Sequence, residues 1–106
     1  MGARAATPDE RVKRFAQRVR EAMPGARIIW FGSRARGDHL EHSDYDFIVV
    51  SEAFGGIRFW QRPKLLYEYW ECGADLEALC YTPDELVRKA GEINIVSVAL
   101  KEGLEV

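Results

Sequence analysis

The most constraining feature of this sequence is a glycine-serine turn followed closely by an acidic and then apolar run. The turn is Gly32-Ser33-Arg34-Ala35-Arg36-Gly37, and the run is Ser43-Asp44-Tyr45-Asp46-Phe47-Ile48-Val49-Val50. Because alternate side chains of a strand share one face, Asp44 and Asp46 are predicted to project side by side. Two carboxylates on one face suit Mg²⁺, while a turn with free N–H groups and guanidinium charge suits a polyphosphate.

Helix and strand patterns place this motif in a small layered domain. Helices are predicted from the capping sequences Thr7-Pro8-Asp9-Glu10 and Thr82-Pro83-Asp84-Glu85, and over 34–37 and 63–71. Residues 93–100 form either a helix or a strand, and a helix is preferred. Strands are predicted over residues 28–31, 44–50 and 74–81, with a short edge strand over 104–106. The expected fold is a small mixed β-sheet flanked by helices, of the α/β or α+β class, in a single domain over residues 1–106.

Length and composition narrow the class of protein. The chain has 106 residues, of which 47% are hydrophobic and 30% charged, so one domain can bury a core without disulfides. No apolar stretch approaches the roughly 20 residues that span a bilayer. The first residues lack the apolar core of a signal peptide. We therefore expect a cytoplasmic protein without a membrane partner.

The charge is distributed unevenly along the chain. Residues 1–36 contain nine Lys or Arg and three Asp or Glu, a balance of +6, whereas residues 37–106 contain six and fourteen, a balance of −8. A uniformly basic surface that could follow a long nucleic acid is therefore not expected. The asymmetry instead fits a local cationic phosphate site that faces acidic metal ligands.

The turn and the acidic strand together resemble the signature of the DNA polymerase β-like nucleotidyltransferase superfamily, which is Gly-Ser, a spacer and then Asp-x-Asp. The form here is most similar to the minimal nucleotidyltransferases of bacteria and archaea, which are small cytoplasmic proteins usually paired with a helical HEPN-type partner. The later segment Ala74-Asp75-Leu76-Glu77-Ala78-Leu79 resembles the strand that carries the third carboxylate of that superfamily.

The resemblance implies roles for particular residues. The expected catalytic and metal-binding residues are Asp44, Asp46 and Asp75, with Glu77 as the alternative third ligand. They would hold two Mg²⁺ ions that contact ATP, the expected substrate. The expected nucleotide-binding residues are Gly32, Ser33, Arg34, Arg36 and Ser43. One of the two arginines is expected to be a surface residue only.

The resemblance also implies a function. The chain would transfer NMP, as AMP from ATP, to a hydroxyl of a HEPN-type toxin and so act as its antitoxin. The acceptor is expected to be presented by a separate protein or by a second copy of the chain in a homo-oligomer. The alternative is a non-catalytic nucleotide-binding subunit that neutralises its partner by complex formation.

Two further groups of residues have simpler interpretations. His39 and His42 have the spacing of an H-x-x-H metal pair, but a solvated loop is favoured because no other ligands are near in sequence. The aromatic residues of the middle segment are divided between the core (Phe59, Trp70) and a partly exposed partner surface (Trp60, Tyr67 or Tyr69).

Overall fold

The computed structural model describes residues 10–40, 43–70, 75–92 and 94–106, and both strands and helices form within these ranges. The strands are β1 (Arg27–Phe31), β2 (Tyr45–Val50), β3 (Leu76–Tyr81) and β4 (Leu104–Glu105). The α-helices are α1 (Glu10–Ala22), α2 (Gly32–Arg36), α3 (Pro83–Ala90) and α4 (Ile95–Glu102). The predicted mixed sheet flanked by helices is confirmed.

The sheet has the strand order β3-β2-β1-β4. Strand β1 runs antiparallel to both β2 and β4, whereas β2 and β3 are parallel. A parallel pair needs a crossover connection, and the chain between β2 and β3 provides it. The end of β1 and the beginnings of β2 and β3 therefore meet at one end of the sheet, where Phe31 pairs with Asp46 and Asp46 pairs with Glu77.

Hydrophobic layers cover both faces of the sheet. On one face, the apolar stripe of α1 packs against alternate residues of the central strands (Val12, Phe15, Ala16 and Val19 against Ile28, Phe47 and Val49). On the opposite face, α3 and α4 pack against the intervening residues (Leu86, Val96 and Ala99 with Ile29, Ile48 and Tyr81). The helical spacing of the α1 stripe and the alternation of the strands are the patterns that the sequence displays.

The capping sequence before α3 forms as predicted. The hydroxyl of Thr82 accepts a hydrogen bond from the Glu85 N–H at 3.3 Å, and the Glu85 carboxylate accepts one from the Thr82 N–H at 2.9 Å. The corresponding predicted start of α1 at residues 7–9 lies outside the described residues. None of the helices in the described ranges is both long and apolar enough to cross a membrane.

The segment between β2 and β3 differs from its prediction. The helix expected over 63–71 is wrong, because the chain forms the 3₁₀ helices Phe59–Leu65 and Tyr67–Tyr69 and is extended at Trp70. Pro63 lies inside the first of them, where it cannot donate the backbone hydrogen bond of a regular α-helix. Residue 71 lies outside the described residues.

The aromatic residues of this segment are divided mostly as expected. Trp70 packs on the core beside Phe47, and Trp60 and Tyr67 are 66% and 54% exposed. The prediction that Phe59 is a core residue is wrong, since this side chain is 43% exposed and contacts Tyr81 at the edge of the domain, with ring centroids 5.4 Å apart. Large exposed aromatic side chains therefore lie in the segment between β2 and β3.

Arg62 joins this segment to the rest of the fold. This charged side chain is only 5% exposed, and its guanidinium is hydrogen-bonded inside the protein. Nε donates to the Ile57 carbonyl at 2.8 Å, and Nη1 donates to the Cys80 carbonyl at 3.1 Å. Both Nη atoms also donate to the Glu85 carboxylate. The hydrogen bond from Arg62 is the main cause that lowers the pKa of Glu85 to about 2.

We expect Arg62→Met to lower the free energy of unfolding by about 2 kcal/mol near neutral pH, because it leaves Glu85 and the Cys80 carbonyl without their donor. The folded-state pKa of Glu85 lies below its unfolded value of about 4.5, so the stabilisation is present above that pH and is lost in acid. Urea unfolding of the variant should therefore show a smaller deficit near pH 3. The exposed Arg58→Met serves as control, and an equal loss in both variants contradicts the prediction.

Candidate active site

Three carboxylates lie together at the end of the sheet where β2 and β3 begin. Asp46 pairs with Glu77 across the two parallel strands, and Asp44 precedes Asp46 by two residues and shares its face. Burial, followed by the negative charges of Glu77 and Asp44, raises the pKa of Asp46 to about 6, while the positive charge of Arg36 opposes this shift. The fold thus concentrates negative charge at a half-buried position.

Asp75, the predicted third carboxylate, and Glu77, its alternative, have different positions relative to Asp46. The backbone carbonyl of Asp75 accepts a hydrogen bond from the Tyr45 N–H at 2.9 Å, but its side chain is exposed and is not among the charges that shift the pKa of Asp46. Glu77 lies directly opposite Asp46. The register of the parallel pair therefore favours Glu77 as the nearer carboxylate, and which of the two binds a metal stays a prediction.

The Gly32 turn is in direct contact with this acidic group. Gly32 has a φ of +84°, in the left-handed region that favours glycine, and a Cβ at this position would lie 2.2 Å from Oδ2 of Asp46. The sequence predicted Gly32 as a nucleotide-binding residue, which stays a prediction. The structure shows that its bare Cα also makes room for a carboxylate.

Helix α2 follows immediately and includes Ser33. It begins two residues earlier than predicted, and Gly37, with a φ of +87°, ends it. The Ser33 carbonyl accepts hydrogen bonds from the N–H groups of Gly37 and Asp38 at 2.9 and 3.1 Å. Ser33 is half-buried and follows Gly32 directly in the chain, and its role as a nucleotide ligand stays a prediction.

The two arginines of α2 have different environments. Arg36 is exposed, its Nε donates to Asp38 at 3.1 Å, and its charge acts on Asp46. Arg34 is half-buried, and its Nε donates to the Ser43 carbonyl at 2.8 Å. The expectation that one arginine is exposed at the surface therefore corresponds to Arg36, yet this exposed residue is also the one whose charge acts on Asp46.

Ser43 and the loop before it are held by local contacts. The Ser43 hydroxyl accepts a hydrogen bond from the Leu40 N–H at 2.9 Å, and the Ser43 N–H donates to the Leu40 carbonyl at 3.1 Å. Ser43 therefore closes the loop between α2 and β2. His39 is exposed, whereas His42 lies outside the described residues. The interpretation of this pair as part of a solvated loop, and not as a metal site, therefore stays a prediction.

The carboxylates fit a divalent cation in chemical type. Carboxylate oxygens are the ligands that Mg²⁺ prefers, and a cation would relieve the repulsion from Glu77 and Asp44 that adds to the effect of burial on the pKa of Asp46. As they stand, no three or more His, Cys, Asp or Glu side chains within the described ranges converge as a ready-made metal site. The chemical type of the carboxylates therefore suits a divalent cation, whereas their arrangement among the described residues is not that of a preformed metal site.

Sequence reasoning missed the role of Tyr45, the residue between the two aspartates. Its side chain is 1% exposed and contacts the rings of Trp30 and Trp70, with centroids 6.4 and 4.9 Å away. The alternation of a strand could have revealed it, because Tyr45 must face away from both Asp44 and Asp46 and toward the core. An aromatic cluster thus lies directly behind the acidic group.

Comparison with known proteins establishes the class of this domain. The model of the nucleotidyltransferase domain family matches residues 12–104, so the chain belongs to that family. Domains of this family generally use a nucleoside triphosphate and a divalent metal.

One similar solved structure is the 1.40 Å crystal structure of a protein from Sulfolobus solfataricus that is provisionally described as a nucleotidyltransferase. It is 24% identical, with a TM-score of 0.57, and the match covers 73% of this chain and 68% of that one. At this identity the likeness supports the fold alone. No protein with curated annotation matches the chain significantly.

Proposed function

We propose that this chain is a Mg²⁺-dependent nucleotidyltransferase that transfers AMP from ATP to a hydroxyl of a partner protein. The observation that carries the proposal is the placement of Asp44, Asp46 and Glu77 on one face beside the Gly32 turn. Burial, together with the negative charges of Glu77 and Asp44, raises the pKa of Asp46 to about 6, and carboxylates with pKa values raised in this way are typical of functional sites.

In the proposed reaction, the acceptor oxygen forms a bond to the α-phosphorus of ATP, and the bond from that phosphorus to the bridging oxygen breaks. Pyrophosphate leaves with the electron pair, and the acceptor's proton passes to a carboxylate, for which Glu77 and Asp75 are the candidates. Bound Mg²⁺ would neutralise the charge of the triphosphate. The protein contributes mainly position and charge to such a transfer.

Other residues would bind the nucleotide. Ser33 lies beside Gly32 at the start of α2, where its hydroxyl and backbone N–H suit the terminal phosphates. The exposed guanidinium of Arg36 acts on Asp46 and can offset phosphate charge on the same side of the site. Arg36 is therefore the preferred phosphate-facing arginine.

The proposed acceptor is a HEPN-type toxin, which makes the chain its antitoxin. This part of the proposal is supported by the resemblance of the turn and the acidic strand to minimal nucleotidyltransferases. The exposed rings of Trp60 and Tyr67 also support a protein partner, because exposed aromatic side chains are enriched at protein interfaces.

The experiment is to incubate the chain with ATP, Mg²⁺ and a HEPN-type protein encoded beside it, and to measure the intact mass of that protein. The expected result is an increase of one nucleotide residue with the wild type and with Asp84→Asn, an exposed carboxylate variant on α3. Asp44→Asn should give no increase. An equal increase with Asp44→Asn would exclude this catalytic site.

The register of β3 leads to a second prediction, that Glu77→Gln lowers the transfer rate more than Asp75→Asn. The expected ratio between the two losses is about tenfold or more, because Glu77 lies opposite Asp46 and its charge acts on that carboxylate, whereas Asp75 is not among the charges that act on it. Both changes remove one charge and keep nearly the same volume. Single-turnover rates at saturating Mg²⁺ measure the ratio, and a larger loss for Asp75→Asn would reverse the assignment.

A non-catalytic role is the second candidate, and one observation favours it. The side chains in the described ranges do not converge as a preformed site for a metal. A subunit that neutralises its partner by contact needs no such convergence. If Asp46→Asn still neutralises the partner fully and the wild type shows no ATP turnover, complex formation is the function.

A further inference from the structure

Arg34 does not have the environment of a phosphate ligand, although it follows the Gly32-Ser33 turn directly. Its guanidinium is engaged at the start of β2 instead. Nε donates to the Ser43 carbonyl at 2.8 Å, and Nη1 lies 3.4 Å from the Tyr45 hydroxyl. The Cζ atom lies 4.4 Å from the centroid of the Tyr45 ring, within the range of a cation–π contact.

These contacts involve the two residues on either side of Asp44. Ser43 precedes it and Tyr45 follows it, so one cation is bound to both of its neighbours in the chain. Tyr45 is fixed in turn by the rings of Trp30 and Trp70. The Tyr45 side chain faces away from those of Asp44 and Asp46. Because Arg34 lies against the Tyr45 ring, it contacts the acidic strand on the side opposite to the carboxylates.

We propose that Arg34 is a positioning residue, which fixes the backbone from Ser43 to Asp46 so that the two aspartates are held for metal binding, and that phosphate contact belongs to Arg36. This inference rests on the proposed function and assigns separate tasks to two arginines that the motif presents as equivalent. It is supported by their exposure, because Arg36 is exposed beside the acidic group and Arg34 is half-buried.

The contacts of Arg34 require a guanidinium. A planar group can stack on an aromatic ring while its edge donates to a carbonyl, whereas the compact ammonium of lysine cannot do both. Arg34→Lys should therefore fail to restore function even though it keeps the charge. A phosphate ligand, in contrast, is partly replaced by lysine, which binds phosphate as a point charge.

The first measurement needs neither activity nor ligand. Amide hydrogen exchange of the unliganded protein, read by mass spectrometry over residues 43–47, reports how firmly this backbone is held. We expect Arg34→Gln to speed exchange there by about tenfold, and Arg36→Gln to leave it within about twofold of the wild type. Unchanged exchange in Arg34→Gln overturns the positioning role, whatever the binding results are.

The second measurement separates metal from phosphate. ATP affinity in EDTA and Mn²⁺ affinity in the presence of a non-hydrolysable ATP analogue are measured by calorimetry. Arg34→Gln should weaken Mn²⁺ binding by about tenfold and leave metal-free ATP affinity within about twofold. Arg36→Gln should weaken metal-free ATP binding instead. Equal losses of metal-free ATP affinity in both variants overturn the division of tasks.

The two measurements also separate this inference from the proposed function. If the wild type binds neither Mn²⁺ nor ATP, the proposed function fails, and the exchange measurement still decides whether Arg34 holds the strand. If Arg34→Gln does not fold, the exchange measurement is made on Arg34→Lys, because lysine also cannot make both contacts with Ser43 and Tyr45. Faster exchange over 43–47 in the lysine variant supports the inference, and wild-type exchange overturns it.

Discussion

Asp46→Asn is expected to lower nucleotidyl transfer on the order of 10³-fold while making the folded protein more stable at alkaline pH. The loss of activity follows from removing the most buried charge of the acidic group, which a metal would need. The gain in stability follows from the same charge, because burial and the charges of Glu77 and Asp44 disfavour its ionised form. If a variant is both inactive and more stable, the wild-type residue is required for function at a cost in stability.

The pH dependence has a definite sign. The folded-state pKa of Asp46 is raised from 3.8 to about 6, so the folded protein holds this proton more tightly than the unfolded chain does. Stability is therefore lost as the pH rises between these values, and the loss persists above pH 6. Asparagine does not ionise, so the gain should be roughly 1 kcal/mol near pH 8, after allowance for solvent screening, and should vanish below about pH 4.

Urea unfolding of the wild type and Asp46→Asn at several pH values measures the gain. Asp84→Asn, on the exposed first turn of α3, is the control, and should show neither the gain nor the loss of activity. A destabilised Asp46→Asn at alkaline pH would show that the carboxylate is held by favourable contacts, contrary to the charge distribution described above. Metal-dependent nucleotide binding by the wild type should also strengthen as the pH rises through about 6, because the ionised form binds cations.

Gly32→Ala is the second change with a large expected effect, and it acts on both stability and the site. An alanine here adopts a left-handed φ, which costs about 1–2 kcal/mol. In addition, its Cβ would lie 2.2 Å from Oδ2 of Asp46, so the aspartate side chain must move. We expect a total loss of about 3 kcal/mol in the free energy of unfolding, together with loss of metal-dependent nucleotide binding.

Gly37→Ala provides a closely matched control on the same helix. Gly37 has a φ of +87° against +84° for Gly32, but a Cβ there would meet nothing within 4 Å. Both positions thus have nearly the same left-handed φ, whereas only at Gly32 would a Cβ meet Asp46. We expect Gly37→Ala to lose about 1 kcal/mol and to retain metal-dependent nucleotide binding. Equal effects in the two variants would show that the turn's conformation, and not its contact with the carboxylate, is what matters.

Several parts of the fold could be predicted because their causes are local in sequence. The apolar spacing of Val12, Phe15 and Val19 appears as one buried stripe of α1, and the Thr82 and Glu85 pair caps α3 as expected. The acidic strand and its turn were found in the same way, since alternation and glycine both act within a few residues. These patterns need no knowledge of the remainder of the chain.

Other features depended on contacts between residues distant in sequence. The segment after residue 62 appeared helical, yet Arg62 is held by Cys80 and Glu85, and the chain around Pro63 forms 3₁₀ helices. No local pattern contains that ion pair. The prediction failed because these tertiary contacts act together with Pro63, which cannot donate the backbone hydrogen bond of a regular α-helix.

The sequence by itself determined that an acidic strand follows a glycine turn within a small mixed sheet. Only the tertiary structure decided that Glu77, and not Asp75, lies opposite Asp46, and that Arg34 is engaged with Ser43 and Tyr45. The physical reason is that strand register and the partner of a long side chain are fixed by packing across the whole sheet. A motif specifies which groups are present, and the fold specifies which of them meet.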